Sequence, residues 1–225
     1  MRNLEKARQE SDFPIYPKRV NEQKQNVELL NIIVMANWAQ TEYKIEGNLK
    51  DLQEIYELFC KFDKGERKPF DELTAKEWEG NIVWALGGNT KELYLRGFIQ
   101  TCELDEEGIL SIVASEAWGV TEFRKFLESH YNGMKIYYCS EEEGCDYFQT
   151  NDKEHKYFDY TCMIHSCVDG DEDYEYFKTK EKALEYIADR LKVSSITMKE
   201  IEEWNKKYEG VDDNYIVFNE YEIVD

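Results

Sequence analysis

Trp38-Ala39-Gln40-Thr41-Glu42-Tyr43-Lys44-Ile45-Glu46-Gly47-Asn48-Leu49-Lys50-Asp51-Leu52 is the stretch that decides the fold class. Thr41, Tyr43 and Ile45 alternate with Glu42, Lys44 and Glu46, the two-residue period of a strand with one buried face. Gly47 ends the strand. Asn48 is placed to cap a helix, with the charge of Asp51 in its first turn. Leu49, Leu52, Ile55, Tyr56 and Phe59 then share one helical face, and Gly65 marks where the helix stops. A strand running straight into a capped amphipathic helix points to an α+β protein.

Working outward, Thr74 and Glu77 have capping-box spacing before an apolar stripe of Trp78, Ile82, Ala85 and Leu86, with Gly87-Gly88 as the stop. Residues 97–104 and 109–115 read as a hairpin around Asp105-Glu106-Glu107-Gly108. Thr121 is placed to cap a helix carrying Phe123, Phe126, Leu127 and His130, with His130 partly buried. Residues 134–139 are a fourth strand, 141–144 a turn and 146–150 a returning strand. The expected order is β-α-β-β-α-β with a helical insertion.

Residues 157–167 read as one long strand, 169–173 as an acidic turn and 174–177 as its partner strand. Thr179 opens a helix with Ala183, Leu184, Ile187, Ala188 and Leu191 on its core face. Thr197 and Glu200 open another with Ile201, Trp204 and Tyr208, and a last strand covers 215–224. The division expected is an N-terminal extension (1–34), a domain (35–152) and a C-terminal α/β extension or small second domain (153–225).

Four short motifs punctuate this pattern: Met35-Ala36-Asn37-Trp38, Glu116-Ala117-Trp118-Gly119, Glu141-Glu142-Glu143-Gly144 and Thr150-Asn151-Asp152. In this order they resemble the YubB-type ferredoxin-like domain of phage and plasmid proteins, over residues 35–152. The residues that carry the likeness are Trp38, Trp118, Gly119 and Gly144. Ala39 stands where many members have Cys or Val, and the Pro that commonly follows the second Trp is absent. The resemblance implies a ferredoxin-like βαββαβ core, a mobile-element setting and no assigned biochemical activity. It also places the natural start at Met35.

The 225 residues carry a formal net charge of −20, with 42% hydrophobic and 14% aromatic residues, a composition that favours a packed core over disorder. The acidity is uneven: residues 1–34 sum to +1, 35–100 to −3, 101–150 to −8 and 151–225 to −10. Such a field repels nucleic acid and anionic lipid and attracts basic proteins. No stretch approaches the roughly 20 apolar residues of a membrane span, and residues 1–6 are polar, so a soluble, cytoplasmic protein is expected.

Cysteines in that compartment are reduced. Cys139, Cys145, His155, Cys162, His165 and Cys167 lie close in sequence, but without Cys-x-x-Cys spacing. Cys162 and Cys167 also fall on opposite faces of a strand. No metal and no cofactor is expected. Asp169, Asp171 and Asp173 copy the start of a calcium loop, but Tyr174 and Lys180 occupy its Gly and bidentate Glu positions.

No catalytic residue is assigned. The candidate partner-binding residues are Glu106, Glu107, Glu141, Glu142, Glu143, Asp169, Asp171, Glu172 and Asp173, an acidic face interleaved with tyrosines. The expectation is a non-enzymatic interaction module for a basic protein, including imitation of a nucleic-acid backbone to block a host enzyme. The alternative is a small-ligand binder or enzyme with a pocket near Trp38, Trp118 and the Cys/His-bearing strand.

Overall fold

The computed structural model describes residues 37–210 and 213–224. The expected extension, residues 1–34, and the start at Met35 lie outside them. The described chain is α+β and divides into two compact units, the first ending at Ile136 and the second beginning at Tyr137. This division falls inside a strand and ahead of the 152/153 boundary read from the sequence. No helix among the described residues is long and apolar enough to cross a membrane.

The first unit is built on β1 (Trp38–Glu46), β2 (Gly97–Leu104) and β3 (Leu110–Ala117). They are antiparallel, with β3 between the other two, and Tyr43 faces Ile112 while Trp38 faces Ala117. Burial alternates along β1 as the sequence period demands: Ala39, Thr41, Tyr43 and Ile45 point into the core. On the opposite face Gln40 donates to Ser115 and Lys44 to Ser111, a polar ladder. A bulge interrupts β2 between Ile99 and Thr101.

The helix α1 (Leu49–Asp63) begins as expected, with Asn48 Oδ1 accepting from the Lys50 amide at 2.9 Å. Its buried face is Leu52, Ile55, Leu58 and Phe62; Leu49 is exposed, and Tyr56 and Phe59 are at the margin. The apolar stripe is wider than the core contact, and the sheet selects one side of it.

The expected capping box at Thr74 does not form. Thr74 donates instead to Asp71, and α2 (Gly80–Ala85) starts later. Residues 77–79 are drawn onto the edge of β2: Ile99 N donates to Glu77 O, Glu79 N to Gly97 O, and Trp78 bridges to Phe98. The last helix of this unit, α3 (Phe123–His130), buries Phe123 and Leu127. His130 is exposed and stacks on Phe126, not partly buried as its spacing suggested.

The second unit takes up most of β4 (Lys135–Glu142), which pairs with β5 (Tyr147–Thr150). Glu141 and Glu142 thus belong to the strand, and the turn is a 3-10 turn, Glu143–Cys145. A separate antiparallel sheet has β6 (Cys162–Val168) between β7 (Asp171–Phe177) and β8 (Tyr215–Glu220). The long strand expected over 157–167 is shorter, because buried Asp152 accepts the amides of Lys156, Tyr157 and Phe158 and holds that segment as a turn.

One face of β6 presents Cys162 and Ile164 to α4 (Lys180–Arg190) and α5 (Met198–Lys207), where Ala183, Ile187 and Ile201 complete a core. The other face buries Met163 with Cys139, Phe148, Phe158 and Tyr221. The last strand breaks at Tyr221, so β9 (Glu222–Ile223) leaves the β6 sheet and pairs parallel to β5.

Candidate functional site

In the first unit the Trp118 motif forms a strained turn. Trp118 has φ 65° and Gly119 φ 96°, and the Trp118 side chain is 52% exposed. A bulky residue in the left-handed region is uncommon and is held by its surroundings. Here Trp118 N donates to Asn37 O, and Tyr94 OH donates to Ala117 O at 2.9 Å. Glu122 accepts from the Tyr94 amide. Trp38 is half-buried and packs its ring on Phe98 at 5.6 Å.

Beneath this turn lie two fully buried carboxyl groups, Glu116 and Glu79. Glu116 accepts from Tyr43 OH at 2.7 Å, from Thr121 Oγ1 at 2.9 Å and from the Thr121 amide at 3.2 Å. The Thr121 hydroxyl in turn accepts from Phe123 N, but α3 is capped at Glu122 without a side-chain bond, so the cap expected at Thr121 does not form: its hydroxyl is drawn to Glu116 instead. Burial pushes both carboxyl groups above the usual range, and in Glu79 the charge of Glu116 adds to the effect. The Tyr43 phenol is pushed well above its usual value by burial and by the same two carboxylates.

In the second unit most of the acidic candidates have specific partners. Glu141 is buried and accepts from Tyr221 OH at 2.8 Å and from Tyr176 OH at 3.1 Å. Glu142 accepts from the Gly144 amide. Glu143 and Glu172 flank His165, with Glu143 Oε1 2.5 Å from Nδ1 and Glu172 Oε1 2.9 Å from Nε2. Tyr215 OH is 2.7 Å from both His165 Nε2 and Glu172, and Tyr174 stacks on the imidazole. The donor bonds from Tyr215 and His165 hold Glu172 below the usual carboxylate range. Burial raises the Tyr215 phenol, and Glu172 raises it further.

On the opposite face Asp173 accepts from Tyr186 OH at 2.7 Å, and Asp171 and Asp173 each lie 3.4 Å from Arg190. Asp169 and Gly170, with φ 53° and 81°, form the two-residue turn between β6 and β7. The turn is pinned by Asp169 N donating to Asn214 Oδ1 and Gly170 N to Asp213 O, both at 3.0 Å. The calcium-loop spacing is therefore a hairpin tip. Asp169, Asp171, Glu172 and Glu175 are exposed.

The structure thus gathers Glu143, Asp169, Asp171, Glu172 and Asp173 around the β6–β7 hairpin. Glu106 and Glu107 sit on the exposed loop between β2 and β3, in the other unit. Gly144 lies in the 3-10 turn, exposed. Trp38 and Trp118 belong to the first unit, and β6, which carries Cys162, His165 and Cys167, belongs to the second. None of the six cysteines forms a disulfide, and no group of three or more His, Cys, Asp or Glu among the described residues is placed to hold a metal ion.

Sequence reasoning passed over Glu79, Tyr43 and Thr121 as a group with Glu116. The available signal was Glu116 as the one charged residue in the apolar run of β3. Compared with protein-family models, with curated proteins and with solved structures, the chain finds no match.

Proposed function

We propose that this chain is a non-enzymatic interaction module that takes a basic protein on the acidic β6–β7 hairpin of its second unit. The observation that carries the reading is that this hairpin is built as a fixed anionic array. Five carboxylates occupy residues 169–175 without a Lys or Arg among them. Arg190, Tyr186, His165, Tyr215 and Asn214 hold the tip from both faces. Asp171 nevertheless keeps 83% of its side chain exposed. A charged surface ordered in advance loses little conformational freedom on binding, and charge complementarity sets encounter rate and partner choice.

Residues 137–225 contain 24 acidic and 10 basic residues, which disfavours direct binding to nucleic acid. The motif resemblance to YubB-type ferredoxin-like domains adds a mobile-element setting, in which the array would occupy a basic groove on a host nucleic-acid enzyme. The test is affinity capture from nuclease-treated host lysate at low and high salt, in parallel with the Asp171→Asn/Glu175→Gln double variant. A basic protein captured by the native chain, lost with the variant and displaced by DNA, is the expected result. Recovery of the same proteins on the variant would refute the reading.

A second reading, small-ligand binding, has one observation behind it: the exposed Trp118 ring held at positive φ beside Tyr94. Tryptophan fluorescence of Trp118→Phe against the native chain, screened with small ligands, would reveal a response that depends on this ring.

A further inference from the structure

We propose that at neutral pH Glu79 carries a proton above an ionised Glu116, and that loss of this proton loosens the turn presenting Trp118. The two side chains meet across the edge of the sheet. Gly97 pairs with Glu116 in the β2–β3 register, and its carbonyl accepts from the Glu79 amide. A Cβ on Gly97 would stand 2.4 Å from Glu79 Oε2, so the carboxyl group lies directly on the glycine.

The two carboxyl groups have opposite surroundings. Glu116 has donors suited to an anion: the Tyr43 hydroxyl, the Thr121 hydroxyl and amide, and the Thr41 hydroxyl within reach. Neither oxygen of Glu79 has a donor in hydrogen-bonding geometry, although the residue is fully buried. The Thr121 hydroxyl and the Gly97 backbone lie beside it, and the former is committed to Glu116. For a second anion in this dry site the help of Thr121 and the Gly97 backbone is outweighed by burial and by the charge of Glu116, whereas a protonated carboxyl group is neutral and carries its own donor.

Among the described residues, Glu79 is faced by Glu116 from β3, with Gly97 of β2 and Thr121 beside it, while Tyr43 of β1 donates to Glu116 and Arg124 of α3 acts on Tyr43. Arg124 lies near Tyr43 and pairs with Glu128 at 3.6 Å. Two carboxyl groups in contact in a site without water favour a single negative charge. Burial acts in the same direction on both.

The coupling to Trp118 runs through Glu116, whose Oε1 holds both the amide and the hydroxyl of Thr121 and so closes residues 116–121. A proton held in the folded state and released in the unfolded chain gives a defined sign. Stability is complete below the ordinary Glu value near 4.5 and falls as pH rises through the raised value of Glu79.

The experiment compares urea unfolding of the native chain and Glu79→Gln across neutral and mildly alkaline pH. In the window below the raised value, the unfolding constant of the native chain should rise about tenfold more per pH unit than that of the variant, the slope of one proton. Parallel slopes would overturn the proposal. A second readout needs no variant: infrared difference spectra of the native protein should show a protonated carboxyl band at neutral pH. Its absence, or its replacement by stabilisation with calcium or magnesium, would put a cation or two anions in the site and overturn the assignment. The Thr121 amide resonance should move with the same midpoint; a resonance indifferent to pH would overturn the link to the Trp118 turn.

Discussion

The carboxylate of Asp152 accepts three consecutive amides, those of Lys156 at 2.9 Å, Tyr157 at 2.7 Å and Phe158 at 3.0 Å. Each of these donors lies in a turn that no strand could satisfy, so Asp152→Ala should cost about 3 kcal/mol in urea denaturation. Asp152→Asn should recover only part of that, because its NH₂ group would face amide donors. Tyr221→Phe makes a comparable change from the other side. It removes the 2.8 Å bond to buried Glu141 and should cost about 1–3 kcal/mol by the same measurement. At this scale the sequence was least informative. Glu141 reads as one of three consecutive acids on a turn, and nothing local says that two tyrosines from far along the chain will cover it. Glu79 and Glu116 are likewise ordinary glutamates until the β2–β3 register brings Gly97 between them.

Two Thr-x-x-Glu spacings separate what a local signal can and cannot decide about an element. Thr197 and Glu200 make the full reciprocal cap of α5, with the Thr197 amide and hydroxyl each 2.8 Å from Glu200 Oε2. Thr197→Ala should therefore cost about 1 kcal/mol. The Thr197 bonds hold Glu200 below its usual value, so this cap is present above the ordinary Glu range and is lost as pH falls through the lowered value. Thr74 and Glu77 have the same spacing, but the backbone at 77–79 is committed to β2. Thr74→Ala should change stability by no more than about 0.5 kcal/mol, and helical circular dichroism should be unchanged. Elements with an unopposed amphipathic period, β1, α1, α4 and α5, were legible in the sequence. Those decided by a non-local competitor were not: the start of α2, the loss of strand over 157–161 and the break at Tyr221.

Across the whole molecule the charge is shared unequally, with a net −6 over residues 1–136 and −14 over 137–225. Self-repulsion of that size weakens the folded state and is screened by salt, over a Debye length of about 10 Å at 0.1 M. Raising sodium chloride from about 0.02 to 0.5 M should raise the melting temperature of the second unit, followed through its own amide signals. Asp171→Asn/Glu175→Gln should lessen the gain, and an equal gain in native and variant proteins would show that the hairpin charges do not contribute. The α+β class and the acidic bias of the later half were readable from composition and period. The division inside β4 was not, because it depends on Cys139 and Phe148 joining Met163 and Tyr221 in one cluster.

The parallel pairing of β9 with β5 has a consequence for synthesis. Gln149 on β5 meets Glu222, 73 residues further along the chain. At ribosomal rates of 5–20 residues per second, that strand waits roughly 4–15 s for its neighbour. During this interval a nascent chain offers one uncovered ladder beside Phe148, and this is the stage at which a folding helper, or another nascent copy, would meet it.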